Sequence, residues 1–345
     1  MMVALSLADQ GPVSAQTSPA RTIGHSVELA QLAEELGYTR FWVAEHHGVR
    51  NMAFAAPEIL IGHIADRTSR LRVGSGGIML PNHTPLHVAE QFRTLEALHP
   101  GRIDLGLGRS TGTGDDPTRD ALLRTPDALE KFGEHLRQLL GVGGRVPLDP
   151  DDPYRELIAS PAGVPLPAVF LLGSSVSSAE LAARAGLSYA FLCVNQDPDV
   201  AVQALRRYRV LFTPVAEGDR PLAILATRIW VGEDDEHGEA LAAPERLAVL
   251  DYLSGDPRPL ESVEQALART SRLTDAQLVA RDKVDLRGDV VGGIDRVAGR
   301  LAELVEASGV DEVMAISNIH NPEDRRESVR RLAVAVGLCP APVSR

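Results

Sequence analysis

His46 and His47 stand side by side at the end of the apolar run Arg40 to Ala44, where an imidazole is well placed to move a proton. An unperturbed imidazole pKa of about 6.5 makes both charge states accessible near neutral pH. Neighbouring residues at a strand end point to opposite sides, so one ring can enter a site while the other packs, and the two do not chelate together. Glu45 precedes them, but no HExxH or other ligand spacing completes a metal centre. On the residues alone, a structural role for His46 stays open beside a chemical one. A second group is Arg109, just beyond the apolar run Ile103 to Leu107, together with Ser174, Ser175, Ser177 and Ser178. These serines precede and open a helical stretch, Ser177 to Ala185, where unpaired backbone N–H groups favour an anion. With the Arg109 guanidinium they form a candidate phosphate site. Serine capping and a local ion pair of Arg109 are the plainer alternatives. Gly74, Gly76 and Gly77 follow another short apolar run and either admit a planar ligand close to the backbone or make a tight turn.

The elements that must carry these groups alternate. Leu71 to Arg109 reads as strand, glycine loop, helix and strand, with Val88, Phe92, Leu95 and Leu98 at helical spacing. Such a βαβ unit leaves both loop ends on one face of a parallel sheet, so Gly76, Gly77 and Arg109 are expected to share a crevice. Before it, Val3 to Leu7 and Arg40 to Ala44 read as strands, with helices near His25 to Leu36 and Glu58 to Asp66. After it, Ala121 to Leu140 reads as mostly helical, and Ala168 to Leu172, Tyr189 to Val194, Leu222 to Val231 and Asp311 to Ile316 as strands. About eight strands, nearly all followed by a helix, predict an α/β fold of the closed (β/α)8 TIM type. The expected organisation is one barrel domain over residues 1–345. Two irregular insertions interrupt it at about 141–167 and 244–289, the second being the candidate lid. His83, Pro85 and His87 are expected to shape a loop, and Trp42 and Phe92 to belong to the core. Gly106, Gly108 and Gly112 have GxGxxxG spacing with no helix following at once, a weak match to a dinucleotide loop.

Composition narrows the partners. A chain of 345 residues with 44% hydrophobic residues can bury a large core, and its formal charge of −12 comes without a long basic run. That argues against nucleic acid and anionic membrane and for a small-molecule partner. Cys193 and Cys339 offer no disulfide framework and no ligand spacing, so both are expected to be reduced thiols. The start, MMVALSLADQGPVS, lacks a basic n-region, and no apolar stretch approaches the length of a membrane span, which predicts a cytoplasmic protein.

Four stretches carry a resemblance: FWVAEHH (Phe41 to His47), RVGSGGIMLPNHTPLHVAEQFRTLEALHPGRIDLGLGR (Arg72 to Arg109), VFLLGSSVSSAELAARAGL (Val169 to Leu187) and GVDEVMAISNIHNPEDRRESVRRLA (Gly309 to Ala333). In order and in detail they resemble the bacterial luciferase-like flavin monooxygenases, in particular the single-chain oxidoreductases. The two irregular insertions are not covered. The resemblance implies a TIM-type barrel that uses FMN in reduced form with O2 and oxidises a small organic substrate through a C4a-(hydro)peroxyflavin. It implies that Arg109 and the turn of Ser174, Ser175, Val176 and Ser178 hold the flavin phosphate. It further implies that Gly76 and Gly77 form a cis peptide packed on the flavin ring, and that His46 is the catalytic residue. Gly108 stands where luciferase has a reactive cysteine, so no thiol chemistry is implied there. A separate flavin reductase is expected, because the chain shows no convincing nicotinamide motif, and a homodimer is expected from the family. The rival readings are an F420-dependent oxidoreductase of the same fold and a non-catalytic flavin-binding barrel.

Overall fold

The computed structural model describes residues 3–215 and 219–338. Its strands are β1 (Ala4–Asp9), β2 (Arg40–Val43), β3 (Arg72–Ser75), β4 (Ile78–Met79), β5 (Ile103–Gly108), β6 (Ala168–Gly173), β7 (Ser188–Cys193), β8 (Ala223–Val231), β9 (Val290–Gly292) and β10 (Glu312–Ile316). The helices are α1 (Pro19–Leu36), α2 (Pro57–Arg67), α3 (Pro85–Leu98), α4 (Asp116–Leu122), α5 (Phe132–Val142), α6 (Val176–Arg184), α7 (Pro198–Leu211), α8 (Asp235–Leu253), α9 (Val263–Thr270), α10 (Asp275–Arg281), α11 (Ile294–Ser308) and α12 (Pro322–Ala335). Strands β10, β1, β2, β3, β5, β6, β7 and β8 pair in parallel in that order, and β8 returns to β10, closing the eight-stranded barrel. The two short strands are extensions: β4 continues β3 along β5, and β9 pairs with the far half of β8.

Period-two alternation along each strand divides the core in two. Outward residues such as Phe41 and Val43 pack under the helices in the main cluster, whereas Trp42, Phe170, Ala190, Ile224, Ala226 and Met314 fill the barrel interior. Below them lies a buried ionic layer. Arg40 donates through Nε and Nη2 to the Glu312 carboxylate at 2.7 and 2.9 Å and through Nη1 to Asp104 at 2.8 Å. Trp42 Nε1 and Arg72 Nε also donate to Asp104, and the Arg40 guanidinium sits over the Phe170 ring. Arg40, Asp104 and Glu312 are 5, 0 and 1% exposed, so this layer plugs the N-terminal end of the barrel.

The link from β3 to β4 is a bulge. Ser75 Oγ donates to the Gly106 carbonyl oxygen and accepts from the Gly106 N–H, replacing the interrupted ladder. A Cβ on Gly106 would lie 2.1 Å from the Ser75 carbonyl oxygen, which explains the glycine by strand approach and not by a dinucleotide loop.

Three expectations are corrected. The first helix starts at Pro19, not near His25, because Ser18 caps it by accepting from the Arg21 N–H and Pro19 suits the first turn. The stretch Ala121 to Leu140 is two helices, α4 and α5, separated at 123–131, where Pro126 disfavours helix at the residue before it. The second insertion does not begin at Pro244, since α8 runs through it to Leu253. Burial of Leu241, Ala242, Leu247 and Leu250 holds the helix across the missing hydrogen bond. Cys193 is buried and free, whereas Cys339 lies outside the described residues. Among the described residues no helix is long and apolar enough to cross a membrane.

Candidate active site

Strand parity builds the site. Arg40, Trp42 and Ala44 point inward from β2, and the same alternation carries His46 into the barrel mouth while Glu45 and His47 turn outward. The result is a cavity of about 530 Å³ at the C-terminal end of the barrel. Its deep wall includes Trp42, Ala226, Met314 and Ile316, and its rim includes Arg109, Ser174, Ser175, Ser177 and Ser178. Gly76, Gly77 and His46 line it as well, so the sequence-nominated residues converge on one space. Val176 is not in the wall; it opens α6 directly behind Ser175. The residue-by-residue reading missed Gln10, Met79, Phe132, Leu181 and Leu192 as wall residues. Counting alternate positions along the strands finds Gln10 from Ala8 and Leu192 from Ala190; Met79 comes from the short β4, and Phe132 and Leu181 from helices.

The start of α6 is a built N-terminus. Ser175 Oγ accepts from the Ser178 N–H at 3.2 Å, and Ser178 Oγ accepts from the Ser175 N–H at 3.3 Å. Ser178 Oγ also shares a 2.8 Å bond with the Tyr189 hydroxyl, which ties the cap to β7. Opposite, Arg109 Nε donates to the Leu129 carbonyl oxygen, and no carboxylate pairs with this arginine among the described residues. The alternative of a local ion pair therefore does not occur, and the guanidinium faces the same rim as the helix start.

The Gly76–Gly77 peptide is cis. A Cβ on Gly77 would meet the Gly106 carbonyl oxygen at 2.8 Å, so only glycine lets this backbone lie flat against β5 and form a smooth wall.

Glu45, His47, His83 and Asn82 make an adjoining network outside the cavity. Glu45 Oε1 bonds Nε2 of both His47 and His83 at 2.8 Å, and Oε2 accepts from the Met79 N–H at 2.8 Å. Burial alone would raise the Glu45 carboxyl, but these bonds pull it down to about 2, and the carboxylate raises His83. The four groups fix the loop beside the bulge, the shaping role expected for His83. Asn195 and Asn318 bond Arg228 and Glu245 away from the rim.

His46 is different. Burial, helped by neighbouring His47, lowers its pKa to about 4, and Nδ1 is buried without a partner. Nε2 is the ring nitrogen left to reach the cavity. Between pH 4 and about 6.5 the unfolded chain takes a proton that the folded chain refuses, so stability falls as pH drops through that window. The contribution amounts to about 3 kcal/mol. Imidazole NMR is expected to show His46 neutral at pH 5; a resonance titrating near the ordinary histidine value would refute this.

The segment 254–289 does not cover the cavity, and none of its residues is in the wall. It is held at the side instead: Leu260 N–H donates to the Val13 carbonyl oxygen and Ala15 N–H to the Leu260 carbonyl oxygen, fastening it to the loop after β1.

A parallel barrel with this mouth defines a class, and the chain belongs to the luciferase-like monooxygenase family, which it matches over residues 1–312. It is 36% identical over 332 residues to the luciferase-like monooxygenase of Escherichia coli (strain K12), covering 94% of this chain and 95% of that one. It is 34% identical over 337 residues to the N-acetyl-S-alkylcysteine monooxygenase of Bacillus subtilis (strain 168), covering 97% and 98%. Among solved structures, apo-MsnO8 superposes with a TM-score of 0.87 at 40% identity, covering 98% of this chain and all of that one.

Proposed function

We propose that this chain is an FMN-dependent monooxygenase that uses reduced FMN and O2 to transfer one oxygen atom to a small organic substrate. The observation that carries the reading is the convergence of His46, the Gly76–Gly77 wall, Arg109 and the start of α6 on one cavity. The residues fit the cofactor: an arginine with no carboxylate partner among the described residues faces a helix N-terminus at the rim, and a smooth glycine wall and a buried imidazole nitrogen unpartnered among those residues lie inside.

Arg109, with the backbone at Ser174, Ser175, Val176 and Ser178, would hold the FMN phosphate. Gly76 and Gly77 would orient the ring against β5, and Leu172, Leu181, Leu192 and Met314 would exclude water from its reactive side. His46 would give or take a proton at Nε2. Bound reduced flavin supplies the electrons that activate O2, and that chemistry belongs to the cofactor. A separate reductase in the cytoplasm is the proposed source of reduced FMN. The proposed assembly is a homodimer. On α2, Ile61 and Ile64 are buried in the core, whereas Ile59 of α2 and Leu98 of α3 are exposed apolar residues.

The test is anaerobic titration with reduced FMN, followed by mixing with O2 and a substrate screen. The screen begins with S-alkylcysteine derivatives of the kind named for the Bacillus relative. Stoichiometric binding and substrate-dependent oxygen incorporation are expected. Arg109→Ala is expected to weaken FMN binding roughly 10- to 100-fold, the range for a lost charge-assisted hydrogen bond. Failure to bind reduced FMN, with binding of F420 by the same sample, would overturn the reading.

A further inference from the structure

Beyond the flavin end, one polar side chain of the interior has half of its amide already committed. Gln10 is the inward residue that follows Ala8 on the β1 side of the barrel, and it lines the cavity. The β1–β10 register pairs Ala8 with Ile316, so its continuation sets Gln10 opposite Asn318. There Asn318 Nδ2 donates to Gln10 Oε1 at 2.6 Å and to Glu245 Oε1 at 3.0 Å, using both of its N–H groups. Trp230 Nε1 donates to the Asn318 carbonyl oxygen, and Arg325 donates to the Ser317 carbonyl oxygen and to Asp9. Asp9 in turn accepts from the Gly11 N–H, so the backbone on both sides of Gln10 is clamped. With Oε1 occupied, Gln10 Nε2 is the end left for the cavity, and it makes no hydrogen bond among the described residues.

We infer that Gln10 is the substrate-orienting donor of this cavity, and that Glu245 is a positioning residue that sets it through Asn318. The ligand group it selects is an uncharged oxygen acceptor on an otherwise apolar molecule. This rests on the site proposed above.

The chemistry of the surroundings favours an uncharged acceptor over an anion. The nearby cations are taken: Arg228 by Asp289 and Asn195, Arg325 by Asp9 and the Ser317 carbonyl. Burial pushes the Glu245 carboxyl up to about 7, against the pull of Arg228, Asn318 and Arg325 and with a push from Asp289. In either protonation state an oxygen remains to accept from Asn318, so the orientation of the relay survives. Around Gln10 the wall is apolar, formed by Ala8, Trp42, Met314 and Ile316.

The test uses the full chain, without flavin and with oxidised FMN, titrated with cyclohexanone and with methylenecyclohexane, which has the same shape but no acceptor. Binding is read by isothermal titration calorimetry, which needs no background substitution. The ketone is expected to bind about tenfold more tightly than the hydrocarbon, the worth of one hydrogen bond. Gln10→Leu and Glu245→Leu are expected to erase that preference by weakening the ketone, and Glu245→Gln, which keeps an acceptor, to restore it. Should the variants fold poorly, the Gln10 side-chain amide resonances of the unaltered chain are expected to move with ketone and not with hydrocarbon. Equal affinity for the two probes, parallel losses for both, or binding of neither would overturn the inference. The readout needs no turnover: a chain that shows the preference but never oxygenates removes the monooxygenase reading alone, and an oxygenating chain without the preference removes this one alone.

Discussion

His46→Ala is expected to lower oxygen transfer about a hundredfold or more while FMN affinity changes only a few fold. The ring is the one imidazole in the cavity wall, it stays neutral at working pH, and only its Nε2 has access to the space between the glycine wall and the deep floor. A positioned acid or base is worth roughly 10² to 10⁴ in rate. The measurement is product formed per reduced FMN consumed in a single turnover under air, with released hydrogen peroxide counted as the unproductive outcome. Alanine is expected to divert nearly all of the flavin's electrons to peroxide. Wild-type coupling in the variant would assign His46 to packing.

Arg40→Met is expected to cost about 3 to 5 kcal/mol of stability, because it leaves the Glu312 carboxylate and part of Asp104 buried with no cation. For a chain of this size that is a fall in melting temperature of roughly 4 to 7 °C. Asp104 keeps Arg72 and Trp42, whereas Glu312 loses its bidentate partner, so the two carboxylates are not equivalent. The double variant Arg40→Met/Glu312→Leu is therefore expected to be more stable than Arg40→Met alone. Thermal unfolding of the three chains checks this; equal melting temperatures for Arg40→Met and the parent would show that the layer contributes nothing.

Much of the fold was legible because its signals are local. Short apolar runs alternated with helical spacing, and several glycines, such as Gly37 and Gly309, fell where a helix ended. Two errors passed over local signals, the Ser18 cap with Pro19 and the break at Pro126, and the third came where tertiary packing outweighs local preference. A proline normally ends a helix, yet α8 continues through Pro244 because its buried residues hold it in place. The candidate site was legible wherever a chemical group sat at a strand end: His46, Arg109 and the serines of α6 all reach one cavity. What stayed hidden depends on partners far apart in the chain. Nothing local in Arg40 announces Glu312, 272 positions away, and nothing in Gln10 announces Asn318, 308 positions away. Glu45 had no ligand spacing to complete a metal centre, but nothing local showed what it does instead; its bonds to His47, His83 and Met79 make it a loop brace.

The ionic layer at the foot of the barrel also sets a traffic rule. With that end sealed by Arg40, Asp104 and Glu312, the chamber is reached from the opposite end, past the rim proposed to anchor the flavin phosphate. Whatever rests on the floor beside Trp42 and Met314 and whatever is held at the rim therefore enter from the same side of the barrel.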